Sequence, residues 1–239
     1  VDEWKDQSGN ANHAEQTVPA QQPQIHDGVS GSDLFTENGK PLLDASRNGT
    51  GRVGNLRASY TSGSPITIAA VGIVVGNGRI LSGGSTSEMI TNMTQIVSGG
   101  TGIVTTAKSG QVLTFAVADG TSSYIGASSS LSQTSNTGTT GSWSGTQLVI
   151  LNLLTDRHNN GQEVIVWPSN QNSAGNRPAI ESDINTNYLI YQPTDQPTSG
   201  LLYDYGSATG GTDAAAAYSV RQLSDKAVIC MRIRRDMGA

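Results

Sequence analysis

Apolar and polar residues alternate over short segments through the middle of the chain, which is the period-2 pattern of antiparallel β-strands. Gly, Ser and Asn bound these segments, as expected of turns. The predicted strands are 66–75, 79–81, 102–107, 112–118 and 122–127. The sequence therefore predicts a mainly β fold, an antiparallel β-sandwich with one or two short helices and a C-terminal helix-strand extension.

The next segment, 128–144, consists almost entirely of Ser, Thr, Gly and Asn, and this composition predicts an exposed loop. Strands are predicted at 146–155 and 163–167. Asn160 and Gly161, between them, supply the positive-φ turn residues that a hairpin favours. We therefore expect these two strands to pair as a hairpin.

Residues 176–184 are predicted to form a short amphipathic helix. Pro178 lies in its first turn, where proline is tolerated. Ile180, Ile184 and Tyr188 follow the helical spacing of an apolar face. This face is expected to pack against the sandwich.

The chain is expected to comprise a sandwich over residues 1–190, a linker over 191–200 and a connector segment over 201–239. The linker is rich in Pro and polar residues. In the connector, a helix is predicted at 214–223 and a strand at 227–233. A segment this short, without disulfide or metal, must pack on another part of the protein or on a neighbour.

Composition supports the β interpretation and excludes two classes of partner. Only 35% of the 239 residues are hydrophobic and glycine numbers 29, a balance typical of short strands joined by turns. A net charge of −5 leaves no basic face for nucleic acid. The longest apolar run, 66–75, is half the length of about 20 residues that spans a bilayer.

Two further features concern processing and redox state. The single cysteine, Cys230, excludes an intramolecular disulfide and is expected to be a buried core residue. The chain begins at Val1 without methionine, so we expect it to be processed or to be part of a longer protein.

Residues 4–14 read Trp-Lys-Asp-Gln-Ser-Gly-Asn-Ala-Asn-His-Ala, followed by Gln-Pro-Gln-Ile at 22–25 and Asn-Gly-Lys-Pro at 38–41. Together with residues 176–181, 184–185 and 188, which resemble the helix that closes such modules, they resemble the LamG/concanavalin A-like jelly rolls of bacterial surface and phage structural proteins. The resemblance covers most of residues 1–190 and implies an extracellular, cell-surface or virion location.

The C-terminal residues 203–205, 214–221 and 231–235 are similar to a segment of arabinofuranosidase-B-like modules. In that family the segment precedes the Trp-x-Asp-Gln-Ser-Gly motif, whereas here it comes last. A tandem array, a circular permutation or exchange of the segment with the next subunit would each explain this order. Exchange would make the protein self-associate as a homo-oligomer or helical filament. The expected assembly interface comprises Trp4, Tyr218, Val228, Ile229, Met231 and Ile233.

The arabinofuranosidase resemblance raises the question of catalysis. Glycoside hydrolysis requires two carboxylates flanking one bond, and the sequence does not identify such a pair. The candidate carboxylates are scattered: Glu88, Asp119, Glu163, Glu181 and Asp183. No catalytic residue is therefore predicted, and the protein is expected not to be an enzyme.

Asp6, Asn10 and Asn12 place oxygen ligands in a short loop, and the LamG resemblance implies a possible calcium site. The favoured alternative is a structural turn in which these side chains bond nearby amides. No other cofactor is expected.

Trp143, in its polar loop, is the aromatic residue whose surroundings indicate exposure. A platform for a sugar, an anchor for the loop and a contact with a neighbouring subunit are the alternatives for it. Asn48 and Asn92 match the acceptor pattern for N-glycosylation. The leading hypothesis is a structural protomer of an extracellular filament or phage fibre. The alternative is a carbohydrate-binding module of a surface adhesin or glycoside hydrolase.

Overall fold

The computed structural model describes residues 1–25, 34–47, 52–74, 78–83, 89–91, 93–151, 159–191, 218–223 and 226–231. The chain divides into two compact units, Val1–Tyr191 and Gln192–Ala239. The strands of the first unit are β1 (Glu3–Trp4), β2 (Ala14–Glu15), β3 (Thr36–Glu37), β4 (Lys40–Pro41), β5 (Ser46–Arg47), β6 (Arg52–Val53), β7 (Leu56–Ala58), β8 (Ile66–Val74), β9 (Arg79–Ser82), β10 (Met89–Thr91), β11 (Gln95–Ser98), β12 (Thr101–Val104), β13 (Gly110–Ala118), β14 (Ser123–Ser129), β15 (Gln133–Gly138), β16 (Leu148–Ile150) and β17 (Asn159–Trp167). The unit also contains helix α1 (Asn176–Tyr188) and 3-10 turns at Pro19–Gln21 and Gly120–Ser122.

These strands form two main sheets. An eight-stranded sheet has the order β1-β2-β7-β16-β9-β10-β11-β12, and a five-stranded sheet has the order β15-β14-β13-β8-β17. β3 pairs with β4, and β5 with β6, as separate two-stranded ladders. The ladders of both sheets are antiparallel. The predicted mainly β, antiparallel class is confirmed.

The central strands of the five-stranded sheet are buried on both faces. β8 is apolar at almost every position, as expected of a strand without a solvent face. Its residues Ile66, Ile68 and Ala70 belong to a core that includes side chains of the eight-stranded sheet, whereas Ala69 and Val71 join a second cluster with α1. The period-2 alternation of a strand therefore separates two apolar layers.

Helix α1 confirms the predicted amphipathic helix and its packing. Ile184 and Tyr188 are buried in the second cluster, against the five-stranded sheet. Asn185 closes the C-terminal end: its Oδ1 accepts hydrogen bonds of 2.9 Å from the backbone N–H groups of Ile190 and Tyr191, and its Nδ2 donates to the Tyr191 carbonyl at 2.8 Å. These bonds hold the residues that follow the helix against its last turn.

The predicted exposed loop over 128–144 is wrong in its middle. Gln133–Gly138 forms β15, an edge strand paired with β14. Most of its side chains are exposed, so polar residues lose little hydration there, and β-branched Thr suits a strand. Polar composition indicated the surface position of this segment but not its conformation.

The predicted hairpin of strands 146–155 and 163–167 is also wrong. β16 pairs with β7 and β9 in one sheet, whereas β17 pairs with β8 in the other. Asn160 and Gly161 lie within β17. A Cβ on Gly161 would approach the Leu151 side chain to 2.8 Å, so close packing rather than a turn explains this glycine.

In the second unit, Tyr218–Leu223 forms a strand, β18, which pairs with β19 (Lys226–Met231). The predicted helix over 214–223 is therefore wrong over 218–223, and residues 214–217 lie outside the described residues. The alanine run favoured a helix, but the residues that follow it, Tyr218 and Val220 among them, favour a strand.

Candidate functional site

The two main sheets meet differently at their two sides. At one side their edge strands, β12 and β15, are joined by side chains: Asn136 Nδ2 donates to the Val104 carbonyl at 2.8 Å, and the Thr105 hydroxyl donates to the Thr134 hydroxyl at 2.9 Å. At the other side, β17 contacts β9. Since β9 is the fifth strand of its sheet, β16, β7, β2 and β1 extend past the end of the five-stranded sheet.

A cleft of about 630 Å³ lies beside β17 on this second side. Its apolar lining comes from β17 and from the extending strands of the larger sheet: Trp4, Ala14, Ala58, Leu148, Ile150, Val164, Ile165 and Val166. Its polar lining comes mainly from the loop after β1 and from β17: Lys5, Asp6, Gln7, Ser8, Asn10, Asn12, Gln162 and Glu163. Tyr60, Pro168 and Tyr188 complete it.

The outer edge of β17, the strand that borders the cleft, is largely unpaired within the described part of the chain. Gly161 exchanges main-chain hydrogen bonds of 2.8 and 3.0 Å with Leu43 on that edge. Beyond Gln162, the described part of the chain provides no main-chain partner for it. In an antiparallel ladder, the N–H and C=O groups of successive residues point alternately to the two sides of the strand. On this pattern the main-chain groups of Val164 and Val166 point outward, away from β8. Such an edge is a template for another strand.

A buried amide network holds the start of this edge. A β-bulge interrupts the pairing of β17 with β8 between Gly161 and Glu163, at Gln162. The Gln162 side chain accepts a hydrogen bond from Gln111 Nε2 at 2.5 Å and donates to the carbonyls of Glu37 and Lys40. These bonds fix the bulge to the β3–β4 pair and so fix where the open edge begins.

Glu163 and Tyr188 form the most perturbed titrating pair of the cleft. Burial raises the pKa of the Glu163 carboxyl, a hydrogen bond with the Tyr188 hydroxyl lowers it in part, and the charge of Asp183 raises it. Burial, followed by the charge of Glu163, raises the pKa of Tyr188 to about 12. The carboxyl is therefore poorly hydrated on the wall of the cleft.

In the loop that contains the predicted calcium ligands, the polar side chains bond to groups of the loop itself. Asp6 Oδ1 accepts from the Ser8 amide at 2.7 Å and Oδ2 from the Asn12 amide at 2.9 Å, while His13 Nδ1 accepts from the Asp6 amide at 3.0 Å. The bonds to Ser8 lower the pKa of the Asp6 carboxyl. Asn10 bonds to the Ser8 hydroxyl. This geometry favours the structural-turn alternative, and the described residues contain no cluster of three metal-ligating side chains.

The expectation that Trp143 is exposed is wrong. Its side chain is 1% exposed, its Nε1 donates to the Ser62 hydroxyl at 2.8 Å and its backbone N–H donates to the Ser64 hydroxyl at 2.7 Å. The indole fills the core shared with the eight-stranded sheet, and the hydroxyl of Ser62 satisfies its polar atom. The polar residues around Trp143 in the sequence therefore did not indicate that its side chain lies in the core. A side chain buried in this way cannot be a sugar platform.

Of the expected assembly residues, Trp4 is half-buried and lines the cleft. Tyr218 lies in β18, and Val228, Ile229 and Met231 lie in β19. Ile233, Asn48 and Asn92 lie outside the described residues.

The cleft also contains residues that sequence analysis did not identify as a site. Tyr60, Gln162, Glu163 and Tyr188 come together there with Asp6. Glu163 had been noted only as one of several scattered carboxylates. Their meeting depends on the strand order of two sheets, for which the sequence carries no local signal.

Comparisons with protein-family models, with curated proteins and with solved structures gave no match. The resemblance to LamG/concanavalin A-like and arabinofuranosidase-B-like modules stays a prediction. No helix in the described parts of the chain is long and apolar enough to cross a bilayer.

Proposed function

We propose that the chain is a non-enzymatic structural protomer of an extracellular filament or phage fibre. Each copy inserts its C-terminal segment into the cleft beside β17 of the next copy. The observation that carries this proposal is the apolar cleft running along an edge strand whose described outer edge lacks a main-chain partner beyond Gln162. An incoming strand would complete the hydrogen bonding of this edge and cover the apolar lining.

The proposal includes the architecture of the body. Two antiparallel sheets with side chains in a common core support a β-sandwich, and the jelly-roll resemblance supports its concanavalin A-like form. A cell-surface or virion location follows from that resemblance.

The second unit supplies a suitable occupant. Its described part is the two-stranded ladder of β18 and β19, and an isolated two-stranded ladder is at best marginally stable in water. β19 contains an apolar run from Ala227 to Met231. Docking on another copy would provide the third strand and the apolar surface that such a ladder lacks.

Exchange of this kind is heterologous, because the cleft and the C-terminal segment are different surfaces of one chain. A heterologous contact generates a ring if its rotation closes and a filament if it does not. We propose the filament.

Negative-stain microscopy and sedimentation of the full chain and of a chain lacking residues 200–239 test the proposal. The full chain is expected to polymerise and the shortened chain to stay monomeric. Ile229→Asp is expected to impair polymerisation, whereas Thr137→Asp, which adds the same charge on exposed β15, is the matched control. Equal polymerisation of the shortened and full chains would contradict the proposal.

Carbohydrate binding in the same cleft is the second candidate function. The cleft combines the aromatic rings of Trp4, Tyr60 and Tyr188 with the polar groups of Gln162 and Glu163, a combination suited to sugars. Under this alternative, the chain lacking residues 200–239 binds glycans on an array and Trp4→Ala abolishes the binding. Under the filament proposal, assembly is the property that is lost when residues 200–239 are removed.

A further inference from the structure

The direction in which a strand adds to β17 distinguishes the two ends of the cleft. β17 runs along the cleft with Glu163 at its middle and Pro168 directly after its end. These two residues are about 16 Å apart at the rise of an extended strand. A six-residue strand such as β19 spans the same length, so its two ends lie at different ends of the cleft.

The Glu163 end of the cleft is acidic. Glu163 is half-buried, and the described residues contain no Lys or Arg paired with it; the ion pair they do contain joins Arg177 to Glu181 at 3.9 Å. Asp6 lines the cleft as well, with exposed Lys5 as the basic residue of the lining. A poorly hydrated carboxylate without a cation is a site that a positive group can stabilise.

The C-terminal segment has its positive charge at one end. Residues 226–239 contain four basic residues and one acidic residue, a net charge of +3, whereas the whole chain carries −5. The other 225 residues therefore carry −8. Within this region, Lys226 begins β19, and Arg232, Arg234 and Arg235 follow its end.

We propose that β19 of another copy adds to β17 in the antiparallel direction, so that its arginine-rich end lies against Glu163. This inference rests on the proposed exchange and adds the orientation of the occupant. In the antiparallel register Met231 lies opposite Glu163 and Cys230 opposite Val164, which brings residues 232–235 to the Glu163 end of the cleft. The parallel register would place the arginines beyond Pro168. The ladders of the described sheets are antiparallel, which favours the same direction.

The single cysteine of the chain provides the test, because a disulfide forms only when two Cα atoms lie within about 7 Å. Chains carrying Val164→Cys with Cys230→Ser are mixed with unaltered chains and oxidised mildly. A disulfide-linked pair of twice the chain mass is expected, joining position 164 to Cys230 of another copy. The matched variant, Pro168→Cys with Cys230→Ser, is expected to form no such pair.

Charge reversal provides a second, independent measurement. Glu163→Arg is expected to slow association about tenfold at low salt, because a like charge then meets the arginines. Thr137→Arg, on exposed β15 at the other side of the sheets, is the control, and circular dichroism checks that each variant is folded.

Crosslinking at position 168 rather than 164 would overturn the antiparallel orientation and leave the exchange intact. If neither crosslink forms in chains that assemble only when residues 200–239 are present, the C-terminal segment binds somewhere other than the edge of β17. Assembly that does not require residues 200–239 would instead refute the proposed function itself.

Discussion

Replacement of Trp143 by alanine tests the core of the first unit. The indole is 1% exposed and its Nε1 donates a hydrogen bond of 2.8 Å to the Ser62 hydroxyl. Truncating a buried Trp to Ala costs about 3–5 kcal/mol, since the ring loses its contacts and leaves a cavity. Domains of this kind are typically stable by about 5–15 kcal/mol, so Trp143→Ala is expected to remove a large part of the free energy of unfolding.

Equilibrium urea unfolding followed by circular dichroism measures this loss. Trp143→Phe retains much of the apolar volume but loses the hydrogen bond, and Ser62→Ala loses the same bond from its other end. Each is expected to cost about 1 kcal/mol, and the double variant less than the two costs added together. A loss below about 1 kcal/mol for Trp143→Ala, with an unchanged dependence on urea, would refute the burial of the indole.

Three further predictions concern single side chains. Asn185→Ala removes the bonds that close α1 and is expected to lower the free energy of unfolding by about 1–3 kcal/mol, measured in urea; an unchanged midpoint would contradict the capping role. Glu163→Gln removes a charge that raises the pKa of Tyr188, so this pKa is expected to fall from about 12 but to stay above 10, because burial is the larger cause; NMR titration measures it. The Asp6 carboxyl has a pKa below its usual 3.8, so it stabilises the fold above that pH and loses this effect as the pH falls through the lowered pKa. The difference in stability between the protein and Asp6→Asn should therefore shrink in acid, and a constant difference would argue against the Asp6 loop bonds.

The sequence predicted the elements whose pattern is local. The apolar, β-branched runs of β8 and β13 identified strands, and Pro178 with the apolar spacing identified α1. It did not predict the partners of β16 and β17, because two consecutive strands can join different sheets without any change in their own pattern. The turn preference of Asn160 and Gly161 was overridden by packing against Leu151.

The sequence named four residues that line the cleft: Trp4 for assembly, and Asp6, Asn10 and Asn12 as possible calcium ligands. Trp4 was named from its motif and lines the cleft, whereas Trp143 was misplaced because its polar neighbours indicated exposure. Glu163 and Tyr188 lie on a strand and a helix whose proximity depends on the complete fold. A cleft formed by the unequal widths of two sheets is a property of strand order, which short-range sequence patterns do not contain.

The side-chain bonds between β12 and β15 have a consequence for the form of the assembly. Asn136 and Thr134 bind the neighbouring edge at that side of the sheets, and the proposed exchange uses one acceptor per copy, the cleft beside β17. One acceptor and one donor per copy give each subunit a valence of two. Growth is then linear and without branches, and a copy lacking its donor can occupy only one end of a chain, where it acts as a terminator.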